Sequence, residues 1–104
     1  STVAVVPLTL LPAVDVAVST VPAASQGALA DDVATSARIV FDAIYDPWPT
    51  PLARAAELHG GAVVLNGLDL LAWQAVFQVE LFTGRTVPVD VLLDAARKAL
   101  AARA

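Results

Sequence analysis

Cysteine is absent from this 104-residue sequence, so it has no disulfide framework and no thiolate chemistry. That usage fits a reducing cytoplasm. Histidine occurs once, at His59. One imidazole cannot build a metal site, because catalytic zinc usually takes three protein ligands. It also leaves no Ser-His-Asp grouping to assemble. Lysine occurs once, at Lys98, late in the last helical stretch, where it reads as a solvated charge and not a base. Six basic residues face ten acidic ones, giving a net charge of −4 and a pI near 4.5. With no basic stripe, nucleic-acid binding is not expected. Neither G-x-G-x-x-G nor a P-loop occurs, so the turn that cradles phosphates in a dinucleotide site is missing from this stretch. A membrane span of about 18 apolar residues is missing too. Residues 1–14 carry no charge, but Pro7 and Pro12 interrupt them, and the run from Val16 to Ala30 contains Ser, Thr, Pro and Gln. No basic segment opens the chain, so no signal peptide is expected.

What the chain has in excess is apolar surface. It is 58% hydrophobic with a mean hydropathy of +0.72, against roughly 45–50% apolar in an ordinary soluble domain. A chain of this length forms one domain, and a small domain has little interior in which to hide so much apolar area. The composition therefore implies packing against another chain, or membership of a larger protein.

Gly67 to Gly84, GLDLLAWQAVFQVELFTG, reads as one helix. On a wheel of 100° per residue, Gly67, Leu70, Leu71, Gln78 and Leu81 fall within about 60° of Gln74. Asp69 and Glu80 lie nearly opposite, and everything between is apolar, including Leu68, Trp73, Phe77, Val79 and Phe82. A helix apolar nearly all round is expected to be buried, and a buried amide needs partners. Gln74 and Gln78 thus either satisfy a core network or face a cleft whose ligand completes them.

Four strands are expected: Thr2–Val6, Asp15–Ser19, Arg38–Ile44 and Ala62–Leu65. Leu8–Leu11 suits a single helical turn before Pro12. Ser25 is placed to cap a short helix reaching about Val33. Thr50 caps the next helix, with Pro51 at its first position and Gly60-Gly61 as its stop. Asn66 is placed to cap the long helix, and Gly84 ends it. Pro88 opens a last helix to about Ala101, whose acidic start and basic end suit the helix dipole. Continuous apolar strands alternating with helices of about ten residues describe an α/β fold. The expected form is a partial doubly wound, Rossmann-like parallel sheet with two carboxyl-terminal helices. Ligands in such sheets sit outside the carboxyl ends of the strands. Three segments lie at that edge: Ser19 to Pro22, Tyr45 to Thr50, and Asn66-Gly67.

Several polar and aromatic residues have simpler roles. Asp42 ends a strand and holds a loop. Asp31-Asp32 is a solvated helix end. His59 is a helix carboxyl-terminal cation or a solvated side chain. Trp48 is a packing residue or a lid.

STVP, FDAIYDPWPTPL and NGLDLLAWQAVFQVELFTG, in this order, resemble the carboxyl-terminal part of shikimate dehydrogenases. The middle motif is matched by Asp42, Tyr45, Pro47, Thr50, Pro51 and Leu52, and the last by Gly67, Leu68, Leu71 and Gln74. The resemblance runs from about Asp15 to the end, and the Ala/Val-rich composition is similar to that of actinobacterial members. It implies a hydride transfer between NADP and 3-dehydroshikimate that yields shikimate, as part of aromatic amino acid biosynthesis. It implies that Tyr45 and Gln74 contact the substrate. Ser19, Thr20, Val21 and Pro22 would line the nicotinamide ribose, Gly67 would approach the nicotinamide, and Leu70 would pack on its ring. Leu70 stands where the family has Met. The family's catalytic Lys and Asp lie in an amino-terminal domain with no counterpart here. The chain by itself is therefore expected to be inactive, with an incomplete NADP site and no catalytic residue of its own. The faces of the last helices (Leu92, Leu93, Ala96, Leu100) are expected to be open and to drive self-association. A quinate/shikimate dehydrogenase, or a non-enzymatic α/β module that binds a partner through apolar faces, are the alternatives.

Overall fold

The structure, a computed structural model, describes residues 2–59 and 61–103. It divides into two compact units, Ser1–Asn66 and Gly67–Ala104.

In the first unit, β1 (Val14–Ser19), β2 (Ala37–Asp42) and β3 (Val63–Asn66) form a parallel sheet in the order β1-β2-β3. The crossovers carry α1 (Ala30–Ser36) and α2 (Pro51–Leu58). The register aligns Ala17, Val40 and Val64 on one face, and it aligns Val16 with Ile39 and Val63, and Val18 with Phe41 and Leu65, on the other. Helices cover only the first face. There Val40 and Leu52 are fully enclosed and pack with Ala30, Ala34, Ala55 and Ala56. The small alanines let α1 and α2 sit close to the strands and to each other. On the other face Val16, Val18, Val63 and Leu65 are exposed.

α2 forms where its cap places it. Thr50 has extended backbone, its hydroxyl accepts from the Ala53 amide, and Pro51 occupies the first turn. His59 closes the helix, and its Nε2 lies 3.2 Å from Asp31 Oδ1 on α1. Gly60 of the expected Gly-Gly stop lies outside the described residues.

In the second unit, α3 (Gly67–Thr83) packs against α4 (Val89–Ala102). Gly84 ends α3 with φ +69°, and its amide donates to the Glu80 carbonyl. This is the left-handed closure that glycine adopts without a Cβ penalty. Pro88 stands just before α4, not inside it.

Four expectations need correction. Among the described residues the sheet has three strands, not four, because Thr2–Val6 forms none. Val3 and Val5 are 94% and 95% exposed; β-branched composition cannot hold a strand without a ladder of hydrogen bonds beside it. Ser25 caps no helix. It ends a 3-10 turn (Ala23–Ser25), and α1 starts five residues later. Third, α3 is not buried all round: Leu70, Leu71, Trp73, Phe77, Leu81 and Phe82 are exposed. Finally, the α4 face is only partly open, with no residue of the helix fully buried. Leu92, Leu93, Ala96 and Leu100 are half-buried, because α4 turns them toward α3.

Candidate functional site

The carboxyl edge of the sheet is an aligned row. Ser19 ends β1, Asp42 ends β2 and Asn66 ends β3, and the register pairs Ser19 with Asp42 and Asp42 with Asn66. By alternation all three lie on the helix-covered side. That side brings Asp42 under the first turn of α2, and a polar network grows from this contact.

Asp42 is fully buried, and three donors reach its carboxylate. Thr50 Oγ1 donates to Oδ2 at 2.8 Å, Gln26 Nε2 donates to Oδ2 at 2.9 Å, and the Ile44 amide donates to Oδ1 at 3.1 Å. A buried carboxylate is tolerable only with such pairing. Gln26 is also fully buried, and its amide is fully used. Nε2 donates a second time, to the Val21 carbonyl at 2.9 Å, and Oε1 accepts from the Leu52 amide at 3.0 Å. Ser19 adds a further tie. Its carbonyl accepts from the Ala43 amide at 2.9 Å, and its hydroxyl accepts from the Val21 amide at 3.3 Å.

The network fixes the two loops that carry most of the sequence-derived candidates. Val21 is half-buried between the exposed Thr20 and Pro22, with Ser19 buried behind them. Tyr45 is half-buried one residue beyond Ile44. Trp48 is 40% exposed between Pro47 and Pro49, whose preceding peptide bonds are cis. A cavity of about 390 Å³ borders Ser19, Thr20 and Val21 and continues along the apolar side chains of β1.

The remaining candidates lie on α3. Gly67 is buried, and Leu70 and Gln74 are exposed one turn apart on one face of the helix. Gln78 is exposed as well. The core-network alternative for the two glutamines therefore fails in this chain; both amides are accessible. An apolar side chain beside an accessible amide suits a planar ring with a polar neighbour. The described residues hold no group of three or more His, Cys, Asp or Glu placed to bind a metal ion. Among them, no helix is long and apolar enough to cross a membrane.

Sequence reasoning finds Asp42 and Thr50 through the Thr-Pro cap and the strand end. It misses Gln26, which sits in an Ala/Ser/Gly-rich loop with no motif or periodicity to mark it. Only its complete burial gives it away.

The family described as the Shikimate 5'-dehydrogenase C-terminal domain matches residues 67–97. A shikimate dehydrogenase (NADP(+)) of Methanocella arvoryzae is 36% identical over 92 residues, covering 85% of this chain and 34% of that protein. Its counterpart in Streptococcus uberis is 39% identical over 56 residues, covering 54% of this chain and 19% of that protein. Among solved structures, a shikimate 5-dehydrogenase from Mycobacterium fortuitum superimposes with a TM-score of 0.67 at 50% identity, covering 79% of this chain and 30% of that one. The shikimate dehydrogenase of Mycobacterium tuberculosis does so with a TM-score of 0.69 at 44% identity, covering 84% and 32%. The matches thus cover between 19% and 34% of the length of these four proteins.

Proposed function

We propose, from the premise that this chain belongs to the shikimate dehydrogenase family, that it supplies the carboxyl-terminal part of the NADP-binding domain of a shikimate dehydrogenase. The whole enzyme reduces 3-dehydroshikimate to shikimate in the cytoplasm. The cofactor, bound in its reduced form NADPH, would supply the hydride and leave as NADP+. The remaining roles belong to this chain's own residues.

The observation that carries the reading is the fastened carboxyl edge. The network around Asp42 holds the Ser19–Pro22 loop and the loop bearing Tyr45 in one geometry, as a site that must orient two reactants requires. In this reading the backbone of Ser19, Thr20, Val21 and Pro22 lies along the nicotinamide ribose. Gly67, lacking a side chain, admits the ring closely, and Leu70 covers its apolar face and excludes water. Gln74 and Tyr45 hydrogen-bond the substrate and orient it. No general acid or base is assigned here. The proton-transferring groups and the substrate domain lie on the remainder of the enzyme, so residues 1–104 alone bind NADP incompletely and turn nothing over. Apolar residues left exposed on the sheet and on α3 support self-association of the isolated chain.

The test is shikimate-dependent NADP reduction. It is run with the 104-residue chain alone, and with a chimera in which the chain replaces the matching stretch of the M. tuberculosis enzyme. Silence alone with activity in the chimera is the expected pair. Activity from the chain alone would overturn the residue roles. Silence in a folded chimera would sink the dehydrogenase reading and favour a module that binds a partner through its apolar faces.

A further inference from the structure

We propose that Gln26 is a positioning residue, whose buried amide fastens the loop after β1 to the loop after β2 and so sets the backbone of Val21 relative to the segment leading into Tyr45. Gln26 is fully enclosed although it lies in a loop. Both of its amide hydrogens and its carbonyl oxygen are engaged, each by a different part of the chain: Val21 in the first loop, Asp42 at the end of β2, and Leu52 at the start of α2. Packing alone does not select such a side chain, because an apolar residue of similar length would fill the space without needing three partners.

The three bonds are chemically distinct. Leu52 presents an N–H, so it needs an acceptor. Val21 presents a carbonyl, so it needs a donor. Asp42 is a carboxylate that also needs a donor. Glutamine satisfies all three at once, whereas a glutamate in its place would face both Val21 and Asp42 with oxygen. The pair can be exchanged so that the bonds to Leu52 and Ile44 are kept and the bond to Val21 is lost. In Gln26→Glu combined with Asp42→Asn, the new amide donates to residue 26 and to Thr50 Oγ1 and still accepts from Ile44. The new carboxylate still accepts from Leu52. The Val21 carbonyl is left without a donor, and the Thr50 hydroxyl, which now accepts from residue 42 instead of donating to it, is left without an acceptor for its proton. The double exchange therefore releases the first loop while keeping the ties to Leu52 and Ile44, and Thr50→Val, which removes the Thr50 hydroxyl but leaves the Val21 bond in place, is its control.

The kinetic arm of the test rests on the reading of residues 19–22 as cofactor contacts; the exchange arm does not. Amide hydrogen exchange on the 104-residue chain is expected to show Leu52 and Ile44 still protected in the double variant. The Val21 amide should exchange at least about tenfold faster than in the parent chain. In Gln26→Met, Val21 and Leu52 should both speed up. In the chimera, the double variant is expected to raise the KM for NADP roughly tenfold while keeping most of the melting temperature that Gln26→Glu alone loses. If Val21 exchanges as slowly as in the parent chain in either variant, the fastening role is wrong. An active chimera whose double variant keeps the parent KM for NADP would overturn it as well. An inactive parent chimera counts against the dehydrogenase reading alone, because exchange at Val21 still decides the role of Gln26.

Discussion

Thr50 Oγ1 gives its proton to Asp42 Oδ2 at 2.8 Å and, with a lone pair, caps α2 at the Ala53 amide at 3.1 Å. One hydroxyl therefore serves both the helix start and the buried carboxylate. Replacing it by an isosteric methyl removes both bonds and leaves two buried groups short of a partner. Thr50→Val is expected to lower stability by about 2–3 kcal/mol, and Thr50→Ser, which keeps the hydroxyl, by under about 1 kcal/mol. Urea unfolding of the two variants measures the difference. Equal losses would mean that the hydroxyl contributes nothing.

Leu52 and Leu58 lie on the same helix at opposite extremes, fully enclosed and 84% exposed. Leu52→Ala empties space between α2 and the strands and should cost about 2–5 kcal/mol. Leu58→Ala should stay within about 0.5 kcal/mol. Urea unfolding checks both. If the exposed site cost as much as the enclosed one, the burial described for α2 would be incorrect.

Gly84 has φ +69°, and a Cβ built on it would meet nothing within 4 Å. The cost of Gly84→Ala is therefore backbone conformation alone, about 1 kcal/mol, and Gly84→Asn should cost less because asparagine tolerates this region. Thermal melts of the two variants test the order. An alanine variant as stable as the parent would rule out the left-handed closure of α3.

Gln74 is exposed, so its removal should leave the fold intact. In the chimera, Gln74→Ala is expected to keep the melting temperature within about 2 °C. The KM for shikimate should rise roughly tenfold, as when a substrate hydroxyl loses its partner. A fall in stability with unchanged kinetics would return Gln74 to a structural role.

Val18 and Leu65 flank Phe41 on the uncovered sheet face and are 67% and 40% exposed. Val18→Lys with Leu65→Lys should reduce self-association of the isolated chain at little cost to its unfolding midpoint. Sedimentation velocity reads the change. An unaltered distribution would locate any association elsewhere, with the exposed side of α3 as the next surface to vary.

The framework of the edge is legible in the sequence because short-range rules govern it. Thr50-Pro51 is a cap and a helix start whatever surrounds it, Gly84 is a stop, and three of the expected strands appear within about two residues of their bounds. Two other readings depend on what lies nearby in space, which periodicity does not record. The run Thr2–Val6 has strand composition but no ladder partner. Residues 67–83 are apolar enough for a helix enclosed on every side, yet α4 covers only part of it. The candidate residues divide in the same way. Tyr45 and Gln74 stand out through motif spacing, whereas Gln26 is identified only by its burial and by its partners, two of them distant in the chain.

Those partners also bear on how the chain folds. Gln26 reaches Asp42 across 16 positions and Leu52 across 26. Its amide can be satisfied only after β1, β2 and the start of α2 have come together in register. Contacts this distant in sequence form late, after the cost of closing the intervening loops has been met. Gln26 thus acts as a latch on a completed topology. Substitutions there should hasten unfolding far more than they slow folding, and stopped-flow kinetics of Gln26→Met would show the effect on the unfolding limb.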